Sequence, residues 1–551
     1  MHSARRQELP TTVQGGKKMS ETIRNFTLKP VLPTRFVVMN DRDEYPGVRE
    51  NCTLEVLREK LADLDGLEIV SVDYNGEGWY KEEGMFFGFF EHTAEKELPP
   101  YFIVNMKKKM PGDHVANMTA FLPTIWNERF FGVTGGGSAS FLNYQQHLFA
   151  MNTPWTVAVR NHFACVQTDC EIDFLDTDWG FKKDSTELDY DLIHYWGHIG
   201  AHDVAVIGKR IVEAVYGRKP AYSYAMGISA GGRTSLGEAQ RYPDDYDGIW
   251  ANCPAVPWVL HLLSQNWPYI VMVSENHFLH IEKVHAFHNA MLKKYGFEGQ
   301  PYQTAVYFPE FDPYTLVGTE TAGGVITEKD AFVAKKIYDG PVYRDGRRMY
   351  DCDPMGPNVR FEQLLTYAED GSRPITSISM TSLQAFRWAL ADPDLTFDEI
   401  GYEEAEKIYE FGAGTFRDTD NKNPDLRRFR DAGRKLILTH ASSDYCCPLR
   451  TTLRYYNNVV RVTAGCSEEE ASKFVKCYVS HGGGHGDVQN VGEIMAYPDT
   501  FIALVKWVEE GIEPGDLPAQ KFDFEKGEVV YSGRIEKAYS ISNPENAKVM
   551  E

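Results

Sequence analysis

Short apolar stretches alternate with longer amphipathic stretches along much of this chain. Four short stretches are predicted as strands, and one longer stretch with helical periodicity is predicted as a helix. The predicted strands are Met118–Pro123, Arg129–Val133, Thr156–Arg160 and Tyr222–Met226, and the predicted helix is Ala201–Tyr216. Alternation of strands with helices predicts an α/β fold, in which a mostly parallel sheet is covered by crossover helices.

The same alternation resumes in the C-terminal half, with a predicted strand at Lys435–Thr439 and a predicted helix at Phe501–Glu509. Between the halves it fades into aromatic-rich helices and loops that contain proline and glycine. Such an insertion over a sheet is expected to act as a lid. The predicted organisation is a disordered tail (1–25), a first part of the core (26–255), a lid domain (256–395) and a second part of the core (396–551).

Charge narrows the range of partners. The formal net charge of −22 argues against nucleic acid and anionic membranes, because both select for clustered Lys and Arg. No stretch reaches the roughly 18 continuous apolar residues of a spanning helix, and no apolar signal-peptide core follows the basic residues near the N-terminus. We therefore expect a cytoplasmic protein whose partner is a small molecule, and no motif calls for a cofactor.

The sharpest local motif is Gly227-Ile228-Ser229-Ala230-Gly231-Gly232, which lies between a predicted strand and a helix-forming run. Glycines on both sides of the serine allow a turn sharp enough to hold its side chain clear of the sheet. A serine hydroxyl needs a base to accept its proton and a carboxylate to orient that base. The motif therefore predicts a nucleophilic serine at Ser229.

Candidates for the acid and the base follow in the order usual for this fold, in which the serine precedes the acid and the acid precedes the histidine. Asp444 follows the strand Lys435–Thr439, although a turn aspartate would also suit that place. Either His481 or His485, both within a glycine-rich loop, could be the base. One alternative is a metal-assisted hydrolase that uses the cluster His440, His481, His485 and Asp487.

With these residues in view, the chain resembles the tannase and feruloyl esterase family, α/β-hydrolases that cleave esters of aromatic acids. The resemblance runs from about residue 118 to 510 and rests on several motifs in the family's order. Besides the serine motif these are Leu122-Pro123, Trp126–Phe130, Thr168-Asp169, Ala239–Ile249 and Asn423–Leu426.

The resemblance implies roles for individual residues. Ser229 matches the family's nucleophile, Asp444 its acid and His485 its base, which decides between the two histidines. The backbone N–H of Ala230, and one from the run Gly135–Gly137 for which we choose Gly136, match the oxyanion hole. The implied substrate is a small ester of a hydroxybenzoic, galloyl or hydroxycinnamic acid.

Two departures from the family's pattern are informative. Typical members place a cysteine immediately before the serine and another immediately after the histidine, joined as a disulfide. Here these positions are Ile228 and Gly486. We take the paired absence as a hypothesis that the protein acts in a reducing compartment. The family's aspartate-rich calcium loop also has no equivalent in Lys293–Pro313, which argues against a retained calcium site.

The lid offers candidates for contact with an aromatic acyl group. Phe386, Arg387 and Trp388 are predicted to bind substrate, although packing within the lid core would equally explain the two aromatic residues. A second alternative function is that of a hydrolase-fold binding protein that has lost catalysis. The order of Ser229, Asp444 and His485 speaks against that alternative.

Overall fold

The computed structural model describes most of the chain. The described residues are 43–78, 85–86, 90–91, 98–135, 154–172, 178–298, 311–349, 352, 356, 359–377, 380–414, 416–485, 494–495, 497–523 and 528–542. The predicted tail, residues 1–25, lies outside them. None of the helices in these ranges combines the length and apolar character that a membrane crossing requires.

The described strands and helices alternate in the order expected of an α/β protein. The strands are β1 (Leu67–Asn75), β2 (Met85–Phe86), β3 (Phe90–Glu91), β4 (Tyr101–Lys109), β5 (Val115–Pro123), β6 (Arg129–Val133), β7 (Ala164–Thr168), β8 (Tyr222–Ile228), β9 (Gly248–Asn252), β10 (Glu320–Thr321), β11 (Gly324–Val325), β12 (Leu365–Tyr367), β13 (Pro374–Ser377), β14 (Lys435–Ala441), β15 (Val475–Ser480), β16 (Ile494–Met495), β17 (Leu517–Asp523) and β18 (Glu528–Glu536). The helices are α1 (Val48–Asn51), α2 (Leu54–Lys60), α3 (Pro154–Arg160), α4 (Tyr190–His194), α5 (Gly200–Tyr216), α6 (Ala230–Arg241), α7 (Trp258–Ser274), α8 (Ile281–Lys294), α9 (Glu328–Asp339), α10 (Met380–Leu390), α11 (Tyr402–Gly412), α12 (Arg427–Asp431), α13 (Leu449–Thr463), α14 (Glu468–Ser472) and α15 (Tyr497–Glu510).

The described part of the chain is built around a nine-stranded sheet in the order β1-β4-β5-β7-β6-β8-β9-β14-β15. From β7 to β15 every neighbouring pair is parallel, because helices carry the chain back between successive strands. The edge formed by β1, β4 and β5 is antiparallel. This sheet confirms the predicted α/β-hydrolase class.

Helices pack on both faces of the sheet and bury its central strands. On one face, α5 approaches β6 so closely that a β-carbon at Gly208 would overlap the ring of Phe130. On the other face, Phe501 of α15 contacts Phe131 of β6 edge to face, with ring centroids 5.4 Å apart. Burial on both faces explains why the central strands read as continuous apolar runs.

One predicted strand is wrong. Thr156–Arg160 belongs to helix α3, and the strand of this region is β7, which follows a short turn. A short apolar run has no distinguishing period, so its β-branched residues favoured a strand. Pro154, at the first helical position, is the overlooked signal, because its fixed φ suits a helix start. Trp155 of this helix stacks on Phe121 of β5 at 4.0 Å between ring centroids.

An inserted region lies between β9 and β14 and packs into a hydrophobic core that it shares with side chains from residues 110–196, Ala230 and Cys447. Helices α7 to α11 supply most of that core. Helix α11 packs against α7 although it follows residue 395, where the sequence predicts the lid domain to end, and that boundary stays a prediction. The two ends of the inserted region meet, because the backbone N–H of Trp258 donates to Asp420 Oδ1 at 3.0 Å.

A buried arginine joins these two ends to the rest of the molecule. Arg233 of α6 lies over the rings of Trp196 and Trp258, at 4.2 and 5.3 Å from the ring centroids. Its guanidinium also donates to the backbone carbonyl of Thr419. Burial lowers the pKa of Arg233 to about 9, with the nearby Asp420 carboxylate opposing that shift. Helix α6 and the insertion are therefore held together at one point.

Candidate active site

Ser229 occupies a strained backbone position at the tip of a strand. It follows β8 and precedes α6, with φ 61° and ψ −120°, a region that costs a non-glycine residue free energy. Its N–H donates to the carbonyl of Asn252 at 3.0 Å, and its carbonyl accepts from Ala255 at 3.0 Å. These bonds to the end of the neighbouring strand hold the turn in place.

Two glycines of the motif are required by space. A β-carbon at Gly227 would overlap Thr134 and the carbonyl of Gly231, and one at Gly232 would overlap the carbonyl of Asn252. The chain therefore turns within contact distance of its own backbone and of β9. This packing explains the glycine spacing of the motif, from which a sharp turn around a nucleophile is predicted.

Asp444 and His485 form a buried pair. Asp444 follows the end of β14, and His485 follows the end of the adjacent strand β15. His485 Nδ1 lies 3.0 Å from Asp444 Oδ1 and 2.9 Å from Oδ2. Asp444 Oδ1 also accepts from the N–H groups of Cys446 and Cys447, at 2.7 and 2.9 Å. The carboxylate is thereby fixed in the orientation that serves the imidazole.

The surroundings keep Asp444 ionised. Burial raises the pKa of this carboxyl, but the charge of His485 and hydrogen bonds from His440 and His485 outweigh burial. The pKa is therefore held well below its usual range. A carboxylate that stays charged can stabilise a proton on the far side of the imidazole ring.

Within the described residues, neither His440 nor His481 of the metal-assisted alternative joins a group of three metal-ligand atoms. His440 is fully buried, and its Nδ1 is 2.8 Å from Thr452 Oγ1 while its Nε2 is 3.0 Å from the carbonyl of Cys447. Both ring nitrogens thus serve the architecture of the Asp444 loop. Asp487 lies outside the described residues.

Donors for an oxyanion are partly in view. Ala230 is the first residue of α6, where backbone N–H groups have no acceptor within the helix. Gly135 follows β6 with φ 87°, and its carbonyl accepts from Ile228 at 3.3 Å. The chain therefore turns beside the serine at the predicted place. Gly136, our choice for the second donor, lies outside the described residues, as does Gly486.

The serine and the Asp444 loop are in direct contact. The strands β8, β9, β14 and β15 are neighbours and end at the same edge of the sheet. Burial raises the pKa of the Cys447 thiol, and a hydrogen bond with the Ser229 side chain opposes this shift. Ser229 therefore lies beside the loop that carries Asp444.

The predicted substrate-binding residues lie in the core of the insertion. Phe386 and Trp388 are fully buried on α10, and Trp388 Nε1 donates to the carbonyl of Trp179 at 3.0 Å. Arg387 pairs with Asp178 and donates to the carbonyl of Leu395 at 3.0 Å. Packing and local hydrogen bonds account for these three side chains, and their contact with substrate stays a prediction.

Two polar residues near the pair were missed in the sequence. His261 and Gln265 lie one turn apart on α7 and are buried. Burial lowers the pKa of His261 to about 4. Hydrogen bonds to the backbone and the charge of Asp444 oppose this shift, whereas the charge of His485 adds to it. Gln265 hydrogen-bonds the Cys446 thiol and accepts from Ser382 Oγ at 2.7 Å. Their signal was two polar residues at helical spacing within an apolar run.

Most of the segment in which the family's calcium loop would lie, residues 299–310, falls outside the described residues, so the expected absence of calcium stays a prediction. Calcium takes six or more oxygen ligands. Asp312, a described carboxylate of this segment, accepts from the N–H of Tyr314 and caps a short helical turn. Within the described ranges, one group of three potential metal ligands is found. It contains a thiol and an imidazole besides a carboxylate, whereas calcium takes oxygen ligands.

Comparison with known proteins adds relatives to this geometry. The family model for tannase and feruloyl esterase matches residues 106–536. A probable feruloyl esterase from Arthroderma benhamiae is 31% identical over 414 residues, which cover 73% of this chain and 74% of the relative. Feruloyl esterase C from Talaromyces stipitatus is 24% identical over 76% of this chain and 79% of its own length.

Solved structures agree on the fold. Tannin acyl hydrolase from Aspergillus niger superposes with a TM-score of 0.74 at 20% identity, covering 90% of this chain and 93% of that structure. Feruloyl esterase B from Aspergillus oryzae gives 0.73 at 18% identity, with 89% and 96% covered. The family match over most of the chain confirms the resemblance drawn from the motifs. This chain belongs to the tannase and feruloyl esterase family.

Proposed function

We propose that this protein is a serine esterase that releases aromatic acids from small esters, with Ser229 as nucleophile, His485 as base and Asp444 as the orienting acid. The observation that carries the proposal is the buried Asp444–His485 pair at the sheet edge where the strained turn presents Ser229. Membership of a family of carboxylic ester hydrolases supports the reaction type.

In the first half of the reaction, Ser229 Oγ attacks the ester carbonyl carbon while its proton passes to His485 Nε2. The carbonyl oxygen becomes an oxyanion, which the N–H of Ala230 and one from the Gly135–Gly137 run would stabilise, by about 3 kcal/mol for each donor. The bond to the alcohol oxygen then breaks, and His485 returns the proton to that oxygen. An acyl-enzyme remains on Ser229.

In the second half, a water molecule takes the place of the alcohol. His485 accepts one proton of the water as its oxygen attacks the acyl carbon, and returns that proton to Ser229 Oγ as the acid leaves. Asp444 contributes throughout by holding the Nδ1 proton, so that Nε2 presents its lone pair to the serine. The fixed carboxylate also stabilises the imidazolium formed in each half.

The inserted region is the proposed lid, and its contact with the catalytic loops is the proposed acyl site. Tyr445, Val359 and Leu364 form a small apolar cluster against which Cys446 packs, and the ring of Tyr445 lies 6.2 Å from that of His485. Gln265 reaches the same place through Cys446. An apolar wall with few polar groups is typical of a pocket for an aromatic acyl group.

We propose that the side-chain amide of Gln265 binds a hydroxyl of the aromatic acyl group. Gln265→Leu is therefore expected to lower kcat/KM for hydroxylated aromatic esters by about 10- to 100-fold, because a buried hydrogen bond to a substrate hydroxyl is worth roughly 1–3 kcal/mol. The matching unsubstituted aromatic ester should change much less. The measurement is the ratio of the two kcat/KM values.

Gln384→Leu is the matched control for that ratio, because it makes the same change at a buried glutamine of the neighbouring helix α10. The control variant should leave the ratio near that of the parent. An equal loss on both esters in Gln265→Leu would assign Gln265 a packing role instead.

A panel of galloyl, feruloyl, caffeoyl and short aliphatic esters tests the activity as a whole. Release of an aromatic acid that is insensitive to chelator supports the proposal and identifies the preferred acyl group. Activity confined to aliphatic esters would contradict the aromatic part, and activity lost with chelator would favour the metal-assisted alternative. Hydrolysis of none of these esters would count against catalysis altogether.

We also propose that the protein acts where thiols stay reduced. All nine cysteines lie in the described part of the chain, and none is joined in a disulfide. Ile228 occupies the position of the first cysteine of the disulfide that is typical of the family. Excess dithiothreitol is therefore expected to leave kcat and the melting temperature unchanged. Loss of activity in reductant, regained on reoxidation, would contradict this proposal.

A further inference from the structure

Three side chains with different metal-binding groups meet beyond the carboxyl ends of the neighbouring strands β9, β14 and β15. Cys253 follows β9, while Asp444 and His485 follow β14 and β15. The Cys253 sulfur, a carboxylate oxygen of Asp444 and a ring nitrogen of His485 all lie within 4.8 Å of one another, and all three residues are buried. Cys253 has no part in the proposed ester hydrolysis, and it packs in the hydrophobic core beneath the pair.

The backbone holds Cys253 firmly in this position. Its φ is 36°, an unusual value for a residue with a side chain. Its N–H donates to the carbonyl of Thr439 at 2.7 Å, which ties it to β14 just before the Asp444 loop. The sulfur is therefore presented to the pair by a fixed turn, as a metal ligand needs to be.

The donor set selects the kind of ion. A thiolate, an imidazole and a carboxylate are the three ligand types that Zn²⁺ takes in proteins, whereas Mg²⁺ and Ca²⁺ prefer oxygen alone. Ligand atoms around a tetrahedral Zn²⁺ lie roughly 3.5 Å apart, as its usual bond lengths require. The three atoms lie within 4.8 Å of one another before any ion is bound, so binding would draw them closer together.

We propose that Cys253, Asp444 and His485 form an inhibitory Zn²⁺ site, with water as the fourth ligand. Binding converts the Cys253 thiol to a thiolate, and its proton leaves to solvent. Zinc takes the place of the proton on His485 Nδ1, the ring nitrogen that faces Asp444, and the ring proton is then carried by Nε2. Nε2 has no lone pair left for the Ser229 proton, so the ion and ester hydrolysis exclude each other.

The inhibition readout rests on the proposed function, so the test begins with binding itself. The full chain, reduced and stripped with chelator, is titrated with Zn²⁺ by calorimetry and with Co²⁺ by absorption spectroscopy. We expect one strong equivalent of Zn²⁺ and a thiolate-to-cobalt charge-transfer band. Hydrolysis of a responsive ester should fall with the same midpoint, recover with chelator, and stay unchanged with Mg²⁺.

Variants assign the sulfur. Cys253→Ala and the closer mimic Cys253→Ser should bind Zn²⁺ at least about 100-fold more weakly and lose the cobalt band. Cys466→Ser removes an exposed thiol elsewhere and should bind Zn²⁺ like the parent. Both Cys253 variants are compared by melting temperature, and the one that folds decides.

Several outcomes would overturn the site. Parent-like Zn²⁺ affinity in the folded Cys253 variant would do so, as would a cobalt complex without the band, or no strong equivalent in the parent. If zinc binds through Cys253 but no ester is hydrolysed with or without it, the metal site stands and the proposed function fails. If zinc binds there without affecting hydrolysis, the inhibitory role is wrong.

Discussion

Ser229→Ala is expected to lower kcat for every ester that the protein hydrolyses by a factor on the order of 10⁶, because the variant has no atom to form the acyl-enzyme. The fold should be unchanged, since alanine keeps the β-carbon that the strained turn already accommodates. The measurement is kcat under saturating substrate, with the melting temperature alongside. A fluorophosphonate reagent should label the parent at Ser229 and leave the variant unlabelled.

Ser235→Ala is the matched control for this variant. Ser235 lies two turns further along α6, where its hydroxyl is 2.7 Å from Thr134 Oγ1. Its loss removes a buried hydrogen bond without touching the proposed chemistry, so the variant should be labelled like the parent. Substantial hydrolysis by Ser229→Ala, abolished by chelator, would instead favour a metal-bound nucleophile.

Asp444→Asn is expected to lower kcat by about 10⁴-fold at neutral pH with a smaller change in KM. The carboxylate holds the proton on His485 Nδ1, whereas an amide can donate to that nitrogen and stabilise the opposite tautomer. The N–H groups of Cys446 and Cys447 still find an acceptor in the asparagine. Rate profiles across pH are the measurement.

The sign of that profile follows from the charge that is lost. In the parent, charge and hydrogen bonds hold the pKa of Asp444 well below its usual value, so the carboxylate is ionised at neutral pH. The asparagine variant has no carboxylate to protonate, so its deficit in kcat/KM should persist through neutral pH and narrow only at acid pH, where Asp444 of the parent takes up a proton. Asp431→Asn makes the same change at an exposed aspartate and should behave like the parent. A variant with parent-like kcat would exclude Asp444 as the orienting acid.

Much of the fold could be predicted because its main signals are local. The glycine spacing around Ser229 reflects the local turn, and the apolar run before Asp444 reflects the local strand. Strands β8 and β14 lie where the pattern predicted them. Thr156–Arg160 was wrong for the corresponding reason. A seven-residue helix whose described side chains are all buried carries little periodicity, so its type depends on what packs around it.

The surroundings of the candidate site could not be predicted in the same way. Cys253 and Gln265 approach Asp444 only after β9 and β14 pair and the insertion folds back over the sheet edge. Each contact joins residues far apart along the chain. Phe386 and Trp388 had the right chemistry for an aromatic ligand, but the packing partner Trp179 comes from a loop some two hundred residues earlier.

The hydrogen bond from Trp258 to Asp420 has a consequence for how this architecture can diversify. The two ends of the insertion lie side by side. Strands β9 and β14 are therefore connected as a short loop would connect them, whatever the length of the insertion between its two ends. Lengthening a segment with fixed ends adds little closure entropy. Changes in the length of the insertion can therefore remodel the proposed acyl-binding wall while the strands that precede Ser229, Asp444 and His485 stay in register.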